Sequence, residues 1–148
     1  LGAPYWDAEA KGAIVGITRG TTREDIVRAA LDSIAYQVRD VLVAMESDTT
    51  GRISELRADG GAVANPYLMQ FQADLLDRPV VLPKVAETTA MGAAMLAGLA
   101  VGVWKSAASL DKLRQGGKVY RPKMRGALRD QLLAGWRDAV ARVLTRRS

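Results

Sequence analysis

Short β-branched runs alternate with long amphipathic runs along this chain, and that alternation restricts its architecture more than any other feature. "GAIVGIT" (12–18), "ISELRAD" (53–59) and "RPVVLP" (78–83) each read as a strand. Each is followed by a segment with helical periodicity. After the first run, Val27, Ala30, Leu31, Ile34, Val38, Val41, Leu42 and Met45 recur at three- and four-residue steps. Thr21 or Thr22 caps that helix, and Thr21 with Glu24 has capping-box spacing. After the second run, Pro66 suits a first helical turn, and Leu68, Met69, Gln72, Leu75 and Leu76 form an inner face. After the third run, "ETTAMGAAMLAGLAVGVW" (87–104) reads as a helix whose Gly92, Ala93, Ala94, Ala97 and Gly98 make an unusually small face. Glycine in a helix costs about 1 kcal/mol, so that face is expected to lie against the sheet or a neighbouring helix. A connector with a short helix (Ser109 to about Arg114) leads through "GGKVYRP" to a last helix over about 125–145. That helix is expected to pack Leu128, Leu132, Leu133, Trp136, Val140, Val143 and Leu144. Strands alternating with helices make the fold class α/β.

The turn "RADGGAVANPY" (57–67) raises the main functional question. Glycine removes the Cβ, permits positive φ and lets a ligand touch backbone. A strand–Gly-Gly–helix turn can therefore offer free N–H groups to an anion. A bare Gly-Gly pair is more often a tight turn and nothing else, and this one is neither a P-loop nor a dinucleotide fingerprint. Asn65 has the chemistry of a helix N-cap. Asp59 reads as a turn or cap acid rather than a metal ligand.

Composition removes several chemistries. The 148 residues contain neither cysteine nor histidine. Disulfide frameworks, Cys/His zinc sites, Ser–His or Cys nucleophilic catalysis and histidine acid–base work are thereby excluded. No apolar run approaches the roughly 20 residues that span a bilayer, and Asp7, Glu9 and Lys11 interrupt any signal-peptide core. The formal charge of +5 sits largely at the end, on Arg121, Lys123, Arg125, Arg129, Arg137, Arg142, Arg146 and Arg147. These are dispersed along a helical pattern with no nucleic-acid motif around them, so a solvated face is favoured over a polyanion partner.

Several stretches together resemble the FGGY carbohydrate kinase family. Gly12-x-Ile14-x-Gly16-Ile17, seven residues, then Asp25-Ile26-x-x-Ala29-Ala30-Leu31-Asp32 fits the family's C-terminal signature. "DGGAVAN" (59–65) is similar to the adenine-nucleotide turn of the members that phosphorylate glycerol. "LGAPYWD" (1–7), "SIAYQVRDVL" (33–42), "LMQFQADLL" (68–76) and 87–104 agree as well, and the likeness fades after Lys105.

The resemblance implies a ribonuclease-H-like, actin-like ATPase domain, with residues 1–148 as its C-terminal half and a fragment of a two-domain kinase. It implies that the backbone of Gly61 meets the nucleotide phosphates beside Gly60, and that Asn65 meets the adenine. Ala62 and Ala64 leave room for the base. The implied ligands are ATP or ADP, glycerol in the full-length enzyme, and Mg2+ held mainly by residues outside this chain. The base and the acceptor site also lie outside it, so no catalytic or metal residue is assigned here. Glu24, Asp25, Asp32 and Glu87 read as helix-dipole partners. In such a domain "ISELRAD" would sit beside a central strand that lies upstream. A cytoplasmic homo-oligomer without nucleic-acid or membrane partners completes the expectation. In some bacterial members an acidic segment after Arg-Pro docks a sugar-transport regulator. Here basic and apolar residues follow Arg121-Pro122, so that partner is not carried over. The competing readings are a kinase of the same family for another polyol or sugar, and a non-catalytic actin-like association module.

Overall fold

The computed structural model describes residues 1–49, 51–84, 88–110 and 117–145. Among these residues five α-helices and three short strands occur in the order α1 (Arg23–Ser47), β1 (Leu56–Arg57), α2 (Pro66–Leu76), β2 (Val80–Val81), α3 (Thr88–Ala100), α4 (Ala107–Leu110), β3 (Val119–Tyr120) and α5 (Gly126–Ala141). The strands form one sheet in the order β1-β2-β3, with β1 and β2 parallel and β2 and β3 antiparallel. The α/β reading of the sequence therefore stands. β1, α2 and β2 make a strand–helix–strand unit, closed by Leu56 N–H to Pro79 O at 2.9 Å and Ala58 N–H to Val81 O at 3.1 Å.

The core is built around α2. Leu68, Met69, Phe71, Ala73, Leu75 and Leu76 are buried together with Ala35 and Leu42 of α1, Val80, Leu82, Tyr120 and Leu133. Each fully buried aliphatic side chain contributes roughly 1.5–3 kcal/mol, and Leu68, Leu75 and Val80 are the largest of these. The expected inner face of α2 is all buried, including its one polar member. Gln72, 2% exposed, donates its amide to the Ala35 carbonyl at 3.1 Å, so its burial leaves that group paired. Tyr36 stacks on Trp136 of α5 at 5.0 Å and meets Phe71 edge-on at 5.7 Å.

Two acids tie the first residues to the rest. Asp40 accepts from the Tyr5 hydroxyl at 2.9 Å and from the Trp136 indole at 2.6 Å. Asp7 accepts from the N–H and hydroxyl of Thr145, 138 residues away. The Thr145 N–H is the main reason the Asp7 carboxyl is held below its ordinary value.

Several expectations change. "GAIVGIT" forms no strand: its residues are exposed, with Ile14 at 58%, Val15 at 46% and Ile17 at 60%. A strand needs a ladder partner, and none lies beside it among the described residues. The two other expected strands shorten to two residues each, and "GGKVYRP", read as connector, supplies β3. The capping box of α1 joins Thr22 to Asp25, not Thr21 to Glu24. Of the expected α1 face only Leu42 is buried; Val27, Ile34, Val41 and Met45 are exposed. Asp32 is not at a helix start. It sits inside α1, bonded to Arg28 at 3.2 Å and to the Tyr67 hydroxyl.

The small face of α3 does not pack on the sheet. Ala93, Ala94 and Ala97 are exposed, and a Cβ on Gly92 would meet nothing within 4 Å. Gly98 alone makes the close approach, and its neighbour is the ring of Trp104, folded back from beyond the helix end. In α5, Leu133 and Val140 are buried, Leu132 and Trp136 half-buried and Leu128 exposed; Val143 and Leu144, expected in this helix, lie just past its end and are half-buried. Glu87, most of the 109–114 helix, Arg146 and Arg147 lie outside the described residues.

Candidate functional site

The Gly-Gly turn sits between the end of β1 and the start of α2. Gly60 has φ +86° and ψ −177°, a backbone conformation open essentially to glycine alone. Residues Gly61–Ala64 then form one turn of 3-10 helix, closed by Val63 N–H to Gly60 O at 3.3 Å and Asn65 N–H to Ala62 O at 3.2 Å. Among the described residues the N–H groups of Gly61 and Ala62 donate to no acceptor. Both residues are exposed. The turn therefore presents two unspent donors immediately before a helix whose N-terminal end favours negative charge.

Gly61 differs from Gly60. Its φ is not in the left-handed region, and a Cβ placed on it would meet nothing within 4 Å. Neither the backbone conformation nor the packing of this chain requires a glycine at 61. Ala62 and Ala64 are exposed alanines on the same turn, so the surface beside Gly61 is low and open.

Asn65 is half-buried. Its side-chain oxygen accepts from the Leu68 N–H at 3.2 Å, which makes it the N-cap of α2, with Pro66 at the first helical position. The four expected site residues thus share one continuous turn. Asp59, just ahead of Gly60, is exposed. Among the described residues no group of three or more acidic side chains converges in a way that could hold a metal ion. No helix of the described residues is long and apolar enough to cross a membrane.

The chain is 57% identical over 144 residues to glycerol kinase 2 of Thermotoga maritima, covering 97% of this chain and 29% of that protein. It is 56% identical over 140 residues to the glycerol kinase of Lactococcus lactis, covering 95% of this chain and 28% of that protein. It spans under a third of the length of these relatives. Its fold matches the crystal structure of Plasmodium falciparum glycerol kinase with ADP at a TM-score of 0.87 and 37% identity, over 98% of this chain and 29% of that one. It also matches a ligand-bound xylulose kinase from Lactobacillus acidophilus at a TM-score of 0.78 and 27% identity, over 94% of this chain and 29% of that one. Residues 1–101 match the model of the C-terminal domain of the FGGY family of carbohydrate kinases, and the chain belongs to that family.

Proposed function

We propose that this chain forms the adenine-nucleotide wall of an ATP-dependent kinase that phosphorylates glycerol to glycerol 3-phosphate. The observation that carries the reading is Gly61, a glycine that the chain's own packing does not need, at the open end of a helix. A ligand that presses on the backbone there supplies the missing reason. The two unspent N–H groups suit phosphate oxygens. Asn65 would meet the adenine while remaining the cap of α2, and Ala62 would leave room for the base. The similarity to glycerol kinases at 56–57% identity favours glycerol as acceptor.

In phosphoryl transfer, Mg2+ spreads the charge on the phosphates while a base positions the attacking hydroxyl. The described residues do not fit a metal site, so Mg2+, like the base and the acceptor contacts, is assigned to residues outside this chain. What the chain itself does is bind and orient the nucleotide. The reading extends to a cytoplasmic protein that self-associates as a homo-oligomer.

The test is ADP release by the full-length protein with ATP and each of glycerol, xylulose and gluconate. Turnover with glycerol supports the proposal. Turnover with a sugar alone transfers it to another acceptor, and nucleotide binding without any turnover favours a non-catalytic module. The 148-residue chain by itself is expected to release no ADP with glycerol.

A further inference from the structure

A cleft of about 210 Å³ opens at the opposite end of α2 from the Gly-Gly turn. Four arginines line it: Arg39 from α1, Arg52 from the loop before β1, Arg78 after α2, and Arg129 from α5. Two are held in place by carboxylates. Arg78 forks onto Glu46 at 2.7 and 2.9 Å, and Arg129 meets Asp77 at 2.7 Å. Arg39 and Arg52 have no ion-pair partner among the described residues. Glu46 also accepts from the Ile53 N–H at 2.7 Å, which pins the loop that carries Arg52. Arg78 is 9% exposed, and its Nε is buried without a hydrogen-bond partner. A buried donor left unmade is destabilising unless something else meets it.

We propose that this cleft is an anion site that takes the phosphate group of a small molecule, distinct from the nucleotide turn. Guanidinium forks match the oxygens of a phosphate. Arg39 and Arg52 offer such forks, whereas the Arg78 fork is taken by Glu46 and Arg129 is paired with Asp77, so these two add positive charge beside the site rather than free donors. Asp77 and Asp130, also on the wall, and the C-terminal end of α2 oppose an anion, so binding there depends on the two unpaired arginines. The volume lies below the roughly 300 Å³ at which ordinary small-molecule pockets begin. Inorganic phosphate or a short phosphate ester fits within it. The eleven residues of α2 set the two sites roughly 16 Å apart, at 1.5 Å per residue. An occupant here acts on the helix that carries Asn65 without competing for the turn.

The experiment is isothermal titration of the full-length protein with inorganic phosphate and, separately, with ethyl phosphate, at ionic strength fixed with chloride. One-site binding of either is expected, and which one binds identifies the source of the phosphate. The double variant Arg39→Gln/Arg52→Gln should weaken it by about tenfold or more through two lost charge-assisted contacts, with the parent's melting temperature retained. Arg52→Gln alone serves if the double variant melts early, and Arg57→Gln, outside the cleft, should bind as the parent does. Absence of binding by both ligands, or unchanged affinity in the double variant, overturns the proposal. So does loss of phosphate binding in Gly61→Val with retention in the arginine variant, because the phosphate would then sit in the nucleotide turn.

Discussion

Replacing Asp74 with alanine should unfasten α5 from α2. Asp74 is buried on the core helix, and its Oδ1 accepts from the Lys123 N–H at 2.6 Å, the Met124 N–H at 3.2 Å and the Gln70 amide at 3.1 Å. Gln70 keeps the Arg121 carbonyl at 2.9 Å when the acid is removed, so it is not orphaned. The two backbone donors are. Lys123 is exposed and can turn to water, whereas Met124 is half-buried. Hydrogen bonds to a charged acceptor contribute about 1.5–3 kcal/mol, and the lower part of that range applies to the exposed donor. The sum is roughly 3–4.5 kcal/mol, which in a chain of this size lowers Tm by about 2–4 °C per kcal/mol. Asp74→Asn keeps one acceptor oxygen and should fall about halfway between the alanine variant and the parent. Urea unfolding followed through Trp136, which lies on α5, reads the effect. A midpoint for Asp74→Ala that corresponds to less than about 0.5 kcal/mol, the ordinary surface range, would refute the reasoning.

Three further outcomes follow from particular contacts. Gly98→Leu should overpack against Trp104 and destabilise by about 1–3 kcal/mol, whereas Gly92→Ala, with open space around it, should gain up to about 1 kcal/mol of helix propensity; a parent-like melt for Gly98→Leu would contradict the first, and a lowered Tm for Gly92→Ala the second. The Glu46 carboxyl is held below its ordinary 4.5, first by the Arg78 hydrogen bonds and also by the Ile53 N–H, against the opposing effect of burial. Its folded value is depressed, so its stabilisation is present above the ordinary value and lost as pH falls through the folded one; urea midpoints should drop across that acidic window in the parent and less steeply in Glu46→Gln. Gly60→Ala should destabilise by about 1–3 kcal/mol because of its backbone conformation, and a melt like the parent's would show that the turn relaxes.

How much of this was legible depended on whether a pattern names its own partner. The β1–turn–α2 unit was legible. Asn65, Pro66 and the α2 apolar positions specify a cap, a first turn and a face without reference to anything distant. Periodicity in α1 was real, but several apolar stripes run along a 25-residue helix, and only the tertiary contact with α2 shows that Ala35 and Leu42 are the buried pair. Thr21–Glu24 and Thr22–Asp25 have identical spacing, so spacing could not choose the box. The small face of α3 predicted a close approach and could not identify Trp104 as the neighbour. β3 is two residues long and set between Gly-Gly-Lys and Arg-Pro, which hides its Val-Tyr pair. The arginine cleft is assembled from four segments and had no local signature; Arg78, one residue past the Asp77 cap of α2, was its one visible sign. The Asp7–Thr145 tie spans nearly the whole chain.

The central claim is that Gly61 is a glycine for the sake of a nucleotide. Isothermal titration of the full-length protein with a non-hydrolysable ATP analogue, run beside thermal melts, tests it most directly. A Cβ at 61 meets nothing within 4 Å in the chain, so Gly61→Val should melt close to the parent while its affinity for the analogue falls strongly and glycerol binding stays nearly unchanged. Asn65→Ala should lose stability by about 0.5–2 kcal/mol as a missing cap and, in addition, nucleotide affinity by about 1–2 kcal/mol if the base hydrogen bond exists. Parent-like affinity for the analogue in both variants would contradict the account and leave this turn as a turn alone.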